Sequence, residues 1–182
     1  MREQSAQDLC VWTVGHSTRS EGEFGALLLA HKIKTLVDVR SFPGSRRYPQ
    51  FNKSALAEYL ATIQIKYVHA PALGGRRKPT TDSHNTAWKD ASFRAYADYM
   101  ETTPFKQGVT DLLSLVSQNT TVIMCAESLW WRCHRSLIAD YLRVSGVVVN
   151  HILHEKKIEL HPYTSAAQVV GGELSYRGLL VD

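Results

Sequence analysis

Residues 121–145 read TVIMCAESLWWRCHRSLIADYLRVS. Thr121, Val122, Ile123 and Met124 form a mostly β-branched apolar run, which predicts a buried strand. Leu137, Ile138, Tyr141, Leu142 and Val144 fall at the spacing of one helix face, and Gly146 stands where a helix stops. Between them lie Cys125, Glu127, Arg132, Cys133, His134, Arg135 and Ser136. A strand that runs through a loop into a helix puts that loop at the carboxyl end of a sheet, where open α/β sheets bind ligands. The helix start adds unpaired N–H groups and about half a unit of positive charge. That end attracts anions and ionises a nearby thiol. Taken singly, Cys125 reads as a small buried hydrophobe and Cys133 as a helix residue. Two thiols, a carboxylate, an imidazole, two guanidiniums and a hydroxyl in one strand-to-helix loop read as a functional site.

The rest of the chain repeats the alternation. Leu9 to Val14 predicts a first strand, ending in Gly15-His16-Ser17-Thr18, with Ser17, Thr18 or Ser20 available to cap a helix carrying Phe24, Leu27, Leu28 and Ala30. Ile33 to Val39 predicts a second strand, which closes on Asp38 and Arg40 and opens into an irregular basic loop, Ser41 to Pro49, that includes Arg46. Asp38 is expected to pair with an arginine and hold that loop. Asn52 reads as the cap of a helix over 53–62, and Ile65, Tyr67 and His69 alternate in a short strand. A long connection, Ala70 to Ser92, carries Leu73-Gly74-Gly75-Arg76-Arg77-Lys78; its length suits a binding loop or lid, and paired glycines let backbone approach a ligand. Two helices follow, around Phe93–Met100 and Pro104–Val116. After the central unit, Val147 to Ile152 predicts a strand and Lys156 to His161 a short edge strand.

Strands alternating with helices predict one α/β domain over 1–182: a mainly parallel sheet of about five strands with helices on both faces. The tail, 163–182, is expected to pack loosely. The loops after the first, second and 121–125 strands then share one edge of the sheet. Cys125 is the expected nucleophile, active as thiolate, with Glu127 and His134 for acid–base work. His16, Asp38, Arg40, Arg46, Gly74, Arg76, Arg132, Cys133 and Arg135 are the expected substrate-binding residues. Among them Arg40, Arg132 and Arg135 would grip an anion by bidentate bonds. Cys125 is expected to be the more acidic thiol. Arg135, at the helix start, is expected to matter more to an anion than Arg132.

Composition bounds the function. The 182 residues carry a net charge of +4, a mild bias toward anionic partners rather than a nucleic-acid signature. Three cysteines without a CxxC spacing are not a disulfide framework and point to a reducing cytoplasm. No apolar run approaches a membrane span, and MREQSAQDLC has no long apolar core of a signal peptide. No metal and no cofactor is expected, and no feature specifies an oligomeric state.

TVGHSTRS, LVDVRSFPGSRRYPQFN, LGGRR, and MCAE followed by CHRSLIADYL and HI together resemble the domain of unknown function family 488, from about residue 12 to 154. The resemblance implies a compact α/β domain with matching polar positions at His16, Asp38, Arg40, Cys125, Glu127, Cys133, His134 and Arg135. LVDVR and VIMCAES with HRSLIADYLRVSG are also similar, more weakly, to rhodanese-like domains. That likeness implies a cysteine that carries persulfide sulfur or attacks phosphate. The loop here is longer than in that group and holds the bulky run Leu129-Trp130-Trp131.

Three functions compete. The first is a cysteine-dependent transferase or hydrolase acting on a phosphorylated or sulfur-bearing anionic small molecule. The second is nucleic-acid binding or processing, with Arg46, Arg47, Arg76, Arg77 and Lys78 on phosphates and Trp130, Trp131, Tyr48 or Phe51 stacking on bases; a steep salt dependence would mark it. The third is a ligand sensor using arginine and histidine alone, indifferent to Cys125→Ser.

Overall fold

The computed structural model describes residues 9–178. Along the central strands, apolar side chains go alternately to two separate cores, as the pleat requires when both faces are covered. Val11, Val37, Ile123 and Val149 join one core, with the helices α3 (Ala91–Met100), α4 (Thr103–Val116) and α5 (Arg135–Val144). Val14, Leu36, Val122, Met124 and Ile152 join the other, with α1 (Glu21–Ala30) and α2 (Lys53–Thr62). The sheet has six strands: β1 (Cys10–Gly15), β2 (Thr35–Asp38), β3 (Lys66–His69), β4 (Thr121–Cys125), β5 (Val148–His154) and β6 (Lys157–Leu160). Their order is β3-β2-β4-β1-β5-β6, parallel except for the last, antiparallel pair. The expected architecture stands, with one strand more than about five.

The register puts the candidate loops side by side. Gly15 lies opposite Cys125, and Asp38 opposite Met124. The ends of β2, β4 and β1 are therefore neighbours. Beyond the strands, His16 N donates to Cys125 O at 2.9 Å and Ser17 N to Ala126 O at 3.0 Å, so the two loops are tied together. A Cβ at position 15 would lie 1.8 Å from the Glu127 carbonyl oxygen, and only glycine admits that crossing.

Ser20, of the three candidate caps, starts α1: Glu23 N donates to Ser20 Oγ and Ser20 N to Glu23 Oε2, a capping box. Asn52 does precede α2, but its side chain caps nothing there. Its Oδ1 accepts from Ser45 N at 2.6 Å and pins the basic loop instead. The connection 70–90 is irregular apart from one 3-10 turn, Pro71–Leu73, yet it is fastened: Thr80 Oγ1, Ser83 Oγ and Asn85 Nδ2 all donate to Asp98 on α3.

The described part of the tail contains regular structure. Strands β7 (Gln168–Val170) and β8 (Glu173–Ser175) form a hairpin. Its turn, Gly171-Gly172, has φ of 59° and 82°, the left-handed values a two-residue hairpin loop demands. Tyr176 is buried after it, donating from its hydroxyl to Asp140 Oδ2 at 2.8 Å. Residues 1–8 and 179–182 of the expected domain and tail lie outside the described residues. Among the described residues no helix is long and apolar enough to cross a membrane.

Candidate active site

The three strand-end loops, with Gly75, Arg76 and the start of α3, enclose an open cleft of about 860 Å³. His16, Arg40, Cys125, Cys133 and His134 line it together, and Phe42, Arg76 and Arg132 also face it. Glu127 lines the cleft as well, but its Oε1 accepts from Leu129 N at 3.2 Å and Ser128 Oγ at 3.4 Å, which commits that oxygen to its own loop.

The two thiols meet. Cys125 Sγ and Cys133 Sγ are 2.7 Å apart and both residues are buried at the cleft floor. Arg135 Nε donates to Cys125 Sγ at 3.0 Å, and Arg135 N, at the start of α5, donates to Cys133 Sγ at 3.5 Å. His134 Nδ1 lies 3.5 Å from Cys133 Sγ. His134 Nε2 lies 3.0 Å from the Val39 carbonyl oxygen, so Nε2 carries a hydrogen and Nδ1 is left to exchange a proton with the thiol. The expected order of acidity is reversed. Burial raises the Cys133 thiol, but Cys125, His134 and Arg135 outweigh it and hold Cys133 well below the ordinary thiol range. Burial and the neighbouring Cys133 push Cys125 up, and Arg135 only partly opposes them. The two sulfurs titrate as a pair, Cys133 toward thiolate and Cys125 toward thiol.

Arg135, one of the expected substrate-binding residues, is not in the cleft lining and is 1% exposed. Besides Cys125, its guanidinium donates to Thr13 Oγ1 at 3.1 Å and to the Glu127 carbonyl at 2.6 Å. Sequence spacing placed it at the helix start but could not tell that its side chain turns inward. Asp38 is likewise fully buried and off the cleft, and pairs with Arg40 as expected: Nε to Oδ1 at 2.9 Å and NH2 to Oδ2 at 2.7 Å. Arg40 NH2 also donates to Phe51 O, and Arg40 NH1 lies 3.4 Å from His16 Nε2. His16 donates from Nδ1 to the Ser17 carbonyl and stacks on Phe51 at 4.1 Å. Burial, with help from Arg40 and against the Ser17 carbonyl, lowers its pKa to about 4. His16 is thus neutral near pH 7, with Nε2 as an acceptor that orients Arg40.

Arg46 is exposed and outside the cleft. Gly74 does not line it either; a Cβ there would meet Ser41 Oγ at 2.5 Å, so its closeness serves the Ser41 loop. The cleft glycine is Gly75, where a Cβ would lie 2.5 Å from His134 Nδ1. Gly75→Ala is therefore expected to push the imidazole off Cys133. The pH midpoint for alkylation of Cys133 should rise while the melting temperature moves by only a few degrees. An unchanged midpoint would show that His134 does not tune the thiol.

Residues that the sequence did not single out also shape the site. Tyr96 on α3 is buried, donates to Leu73 O at 2.8 Å and sets its ring edge-on to His134 at 5.1 Å. Its spacing marked it only as part of a helix. Phe42, 72% exposed, stands at the cleft with the Arg76 guanidinium 5.7 Å from its ring centre. Of the proposed stacking rings, Trp130 and Phe51 are buried and Trp131 is half exposed. Trp130 lies parallel to His151 at 4.4 Å, and this interior contact accounts for one bulky member of the Leu129-Trp130-Trp131 run. Among the described residues no three His, Cys, Asp or Glu side chains are grouped as a metal ion would need.

A family model described as Domain of unknown function DUF488 matches residues 22–142, from the first turn of α1 to the last of α5. No curated protein and no solved structure matches the chain. Neither finding extends the rhodanese likeness, which rests on the two short segments quoted above.

Proposed function

The chain belongs to the DUF488 family, a membership that carries no chemistry of its own, and from the cleft we propose a cysteine-dependent transferase or hydrolase acting on an anionic small molecule. The observation that carries this reading is the Cys125–Cys133 pair, held against Arg135 and His134 at the floor of a cleft that Arg40, Arg76 and Arg132 also line. A thiolate stabilised by an imidazole, a helix start and a guanidinium is a nucleophile at neutral pH. Arginines at the open side suit a phosphoryl or oxidised sulfur group.

The roles follow from the positions. Arg40, Arg76 and Arg132 hold the anionic group. Cys133, as thiolate, attacks the electrophilic phosphorus or sulfur, and the bond from that atom to its leaving group breaks. The leaving group departs with the electron pair and takes from His134 the proton that Cys133 had given up. Water or a second acceptor then attacks the same atom, passes its proton to His134, and releases Cys133 as thiolate. Cys125, the expected nucleophile, becomes the thiol that shares charge with Cys133. The nucleic-acid reading keeps Trp131 and Tyr48 as stacking rings, while Trp130 and Phe51 are interior.

Iodoacetate and iodoacetamide test the proposal, since they differ mainly in charge. Cys133 is expected to react several-fold faster with iodoacetate than a free thiol does, relative to iodoacetamide, and inorganic phosphate should slow the reaction. Peptide mass locates the modified cysteine. Equal preference to that of a free thiol, or no reaction until the protein unfolds, would end the reading.

A further inference from the structure

Two fully buried charges sit on the same helix without touching. Arg135 and Asp140 both belong to α5, and five residues apart they do not share a helix face. A continuous path of hydrogen bonds joins them through the sheet. Arg135 NH1 meets Thr13 Oγ1 at 3.1 Å on β1, and Thr13 Oγ1 meets His151 Nδ1 at 2.6 Å on β5. His151 Nε2 meets His161 Nδ1 at 2.9 Å, and His161 Nε2 meets Asp140 Oδ1 at 2.9 Å. All five residues are at most 1% exposed. Trp130 covers the path, parallel to His151 and edge-on to His161.

The path takes one direction when the Thr13 hydroxyl, which accepts from Arg135, gives its hydrogen to its other neighbour, His151 Nδ1. His151 then carries its hydrogen on Nε2 and gives it to His161 Nδ1, and His161 gives its own from Nε2 to Asp140. Asp140 is the terminus: it also accepts from Thr164 N, Thr164 Oγ1 and the Tyr176 hydroxyl. Burial, with His161 and Arg135 nearby, lowers the pKa of His151 to about 2, which keeps that ring neutral. A buried carboxylate at the far end polarises the chain and makes Thr13 Oγ1 a stronger acceptor.

We propose that Thr13, His151, His161 and Asp140 are positioning residues of the thiol site, fixing the Arg135 guanidinium so that its Nε stays on Cys125 Sγ. The inference rests on the thiol-enzyme reading only for its purpose; the positioning itself is read on the protein alone. The charged or titratable groups that bear on the thiols are Arg135 and His134 from the start of α5 and Tyr96 from α3. Only Arg135 is reached by the relay.

The test is the pH profile of cysteine alkylation. Thr13→Val keeps the shape and removes the hydroxyl, so the guanidinium loses its anchor. The midpoint for the thiol pair is expected to rise by about one pH unit, an approximately tenfold slower reaction at neutral pH. Thr13→Ser should restore it. Tyr176→Phe breaks a bond to Asp140 on the tail side only; it should lower the melting temperature and leave the midpoint unchanged. Independently, nitrogen-15 spectra of the wild-type protein should show both His151 and His161 with hydrogen on Nε2, a reading that needs no variant to fold. An unmoved midpoint in Thr13→Val, an equal shift in Tyr176→Phe, or hydrogen on Nδ1 of either ring overturns the relay. A wild-type protein indifferent to the charge of the alkylating agent would sink the enzyme reading and leave the relay standing.

Discussion

Arg135→Ala is expected to destabilise the protein by about 3–5 kcal/mol, because it removes one partner of a buried charged network. The guanidinium serves Cys125 Sγ, Thr13 Oγ1 and the Glu127 and Ser128 carbonyls. Its loss leaves a buried thiolate without its cation and two carbonyls without donors, each costing about 1–3 kcal/mol. Arg135→Lys should also fail to restore stability, since one ammonium cannot reproduce a planar fork that reaches three sides. Arg132 is exposed, and Arg132→Ala should stay within about 0.5 kcal/mol of wild type. Urea unfolding followed by circular dichroism decides the matter. Equal midpoints for the Arg135→Ala and Arg132→Ala proteins would show that Arg135 does not hold the loop.

Hydrogen peroxide should silence the site through its own thiols. Cys133 thiolate attacks one peroxide oxygen, the O–O bond breaks, and the departing hydroxide takes up a proton as water, leaving a sulfenic acid on Cys133. Cys125 Sγ, 2.7 Å away, then attacks that sulfur; the S–S bond forms and a second water leaves. The two thiols have supplied the two electrons. Of three free cysteines, Cys10 alone should remain titratable. The protein should be two hydrogens lighter, with Cys125 and Cys133 inert to iodoacetate, and should recover with dithiothreitol. Cys125→Ser should stop at the sulfenic acid, and Cys133→Ser should lose almost no thiol at the same dose. A wild-type protein that keeps three thiols, or one in which Cys133→Ser oxidises as fast, would refute the division of labour between the sulfurs.

The fold was readable where one chemical pattern dominates. The apolar run at 121–124 and the stripe at Leu137, Ile138 and Leu142 had a single solution, a strand followed by a helix, and the parallel alternation followed from it. The convergence of His16, Arg40, Cys125, Cys133 and His134 followed from topology, because neighbouring parallel strands end on one edge. What stayed hidden depends on side-chain direction. The sequence set Arg135, at the helix start, apart from Arg132, but only packing shows that its side chain is buried off the cleft. Thr13, His151, His161 and Asp140 lie far apart along the chain in segments that read as ordinary strand, edge and helix. Their contact depends on β1 lying between β4 and β5, an order that periodicity does not contain. The acidity of the thiols escaped for a similar reason: burial raises both, and which of them the neighbours offset depends on side chains that only packing brings together.

The central place of β1 also governs when the site comes into being during synthesis. Thr13 is among the first described residues to leave the ribosome, yet its sheet neighbours are Ile123 and His151. A strand that must wait for partners so distant in the chain pays a long loop closure before it gains any contact, which slows folding. Until β4 and β5 have emerged, β1 has no neighbours, Cys125 and Cys133 have no guanidinium, and no cleft exists. Until then the two sulfurs lack the neighbours that set their acidity, and their chemistry switches on only when β1 enters the sheet between β4 and β5.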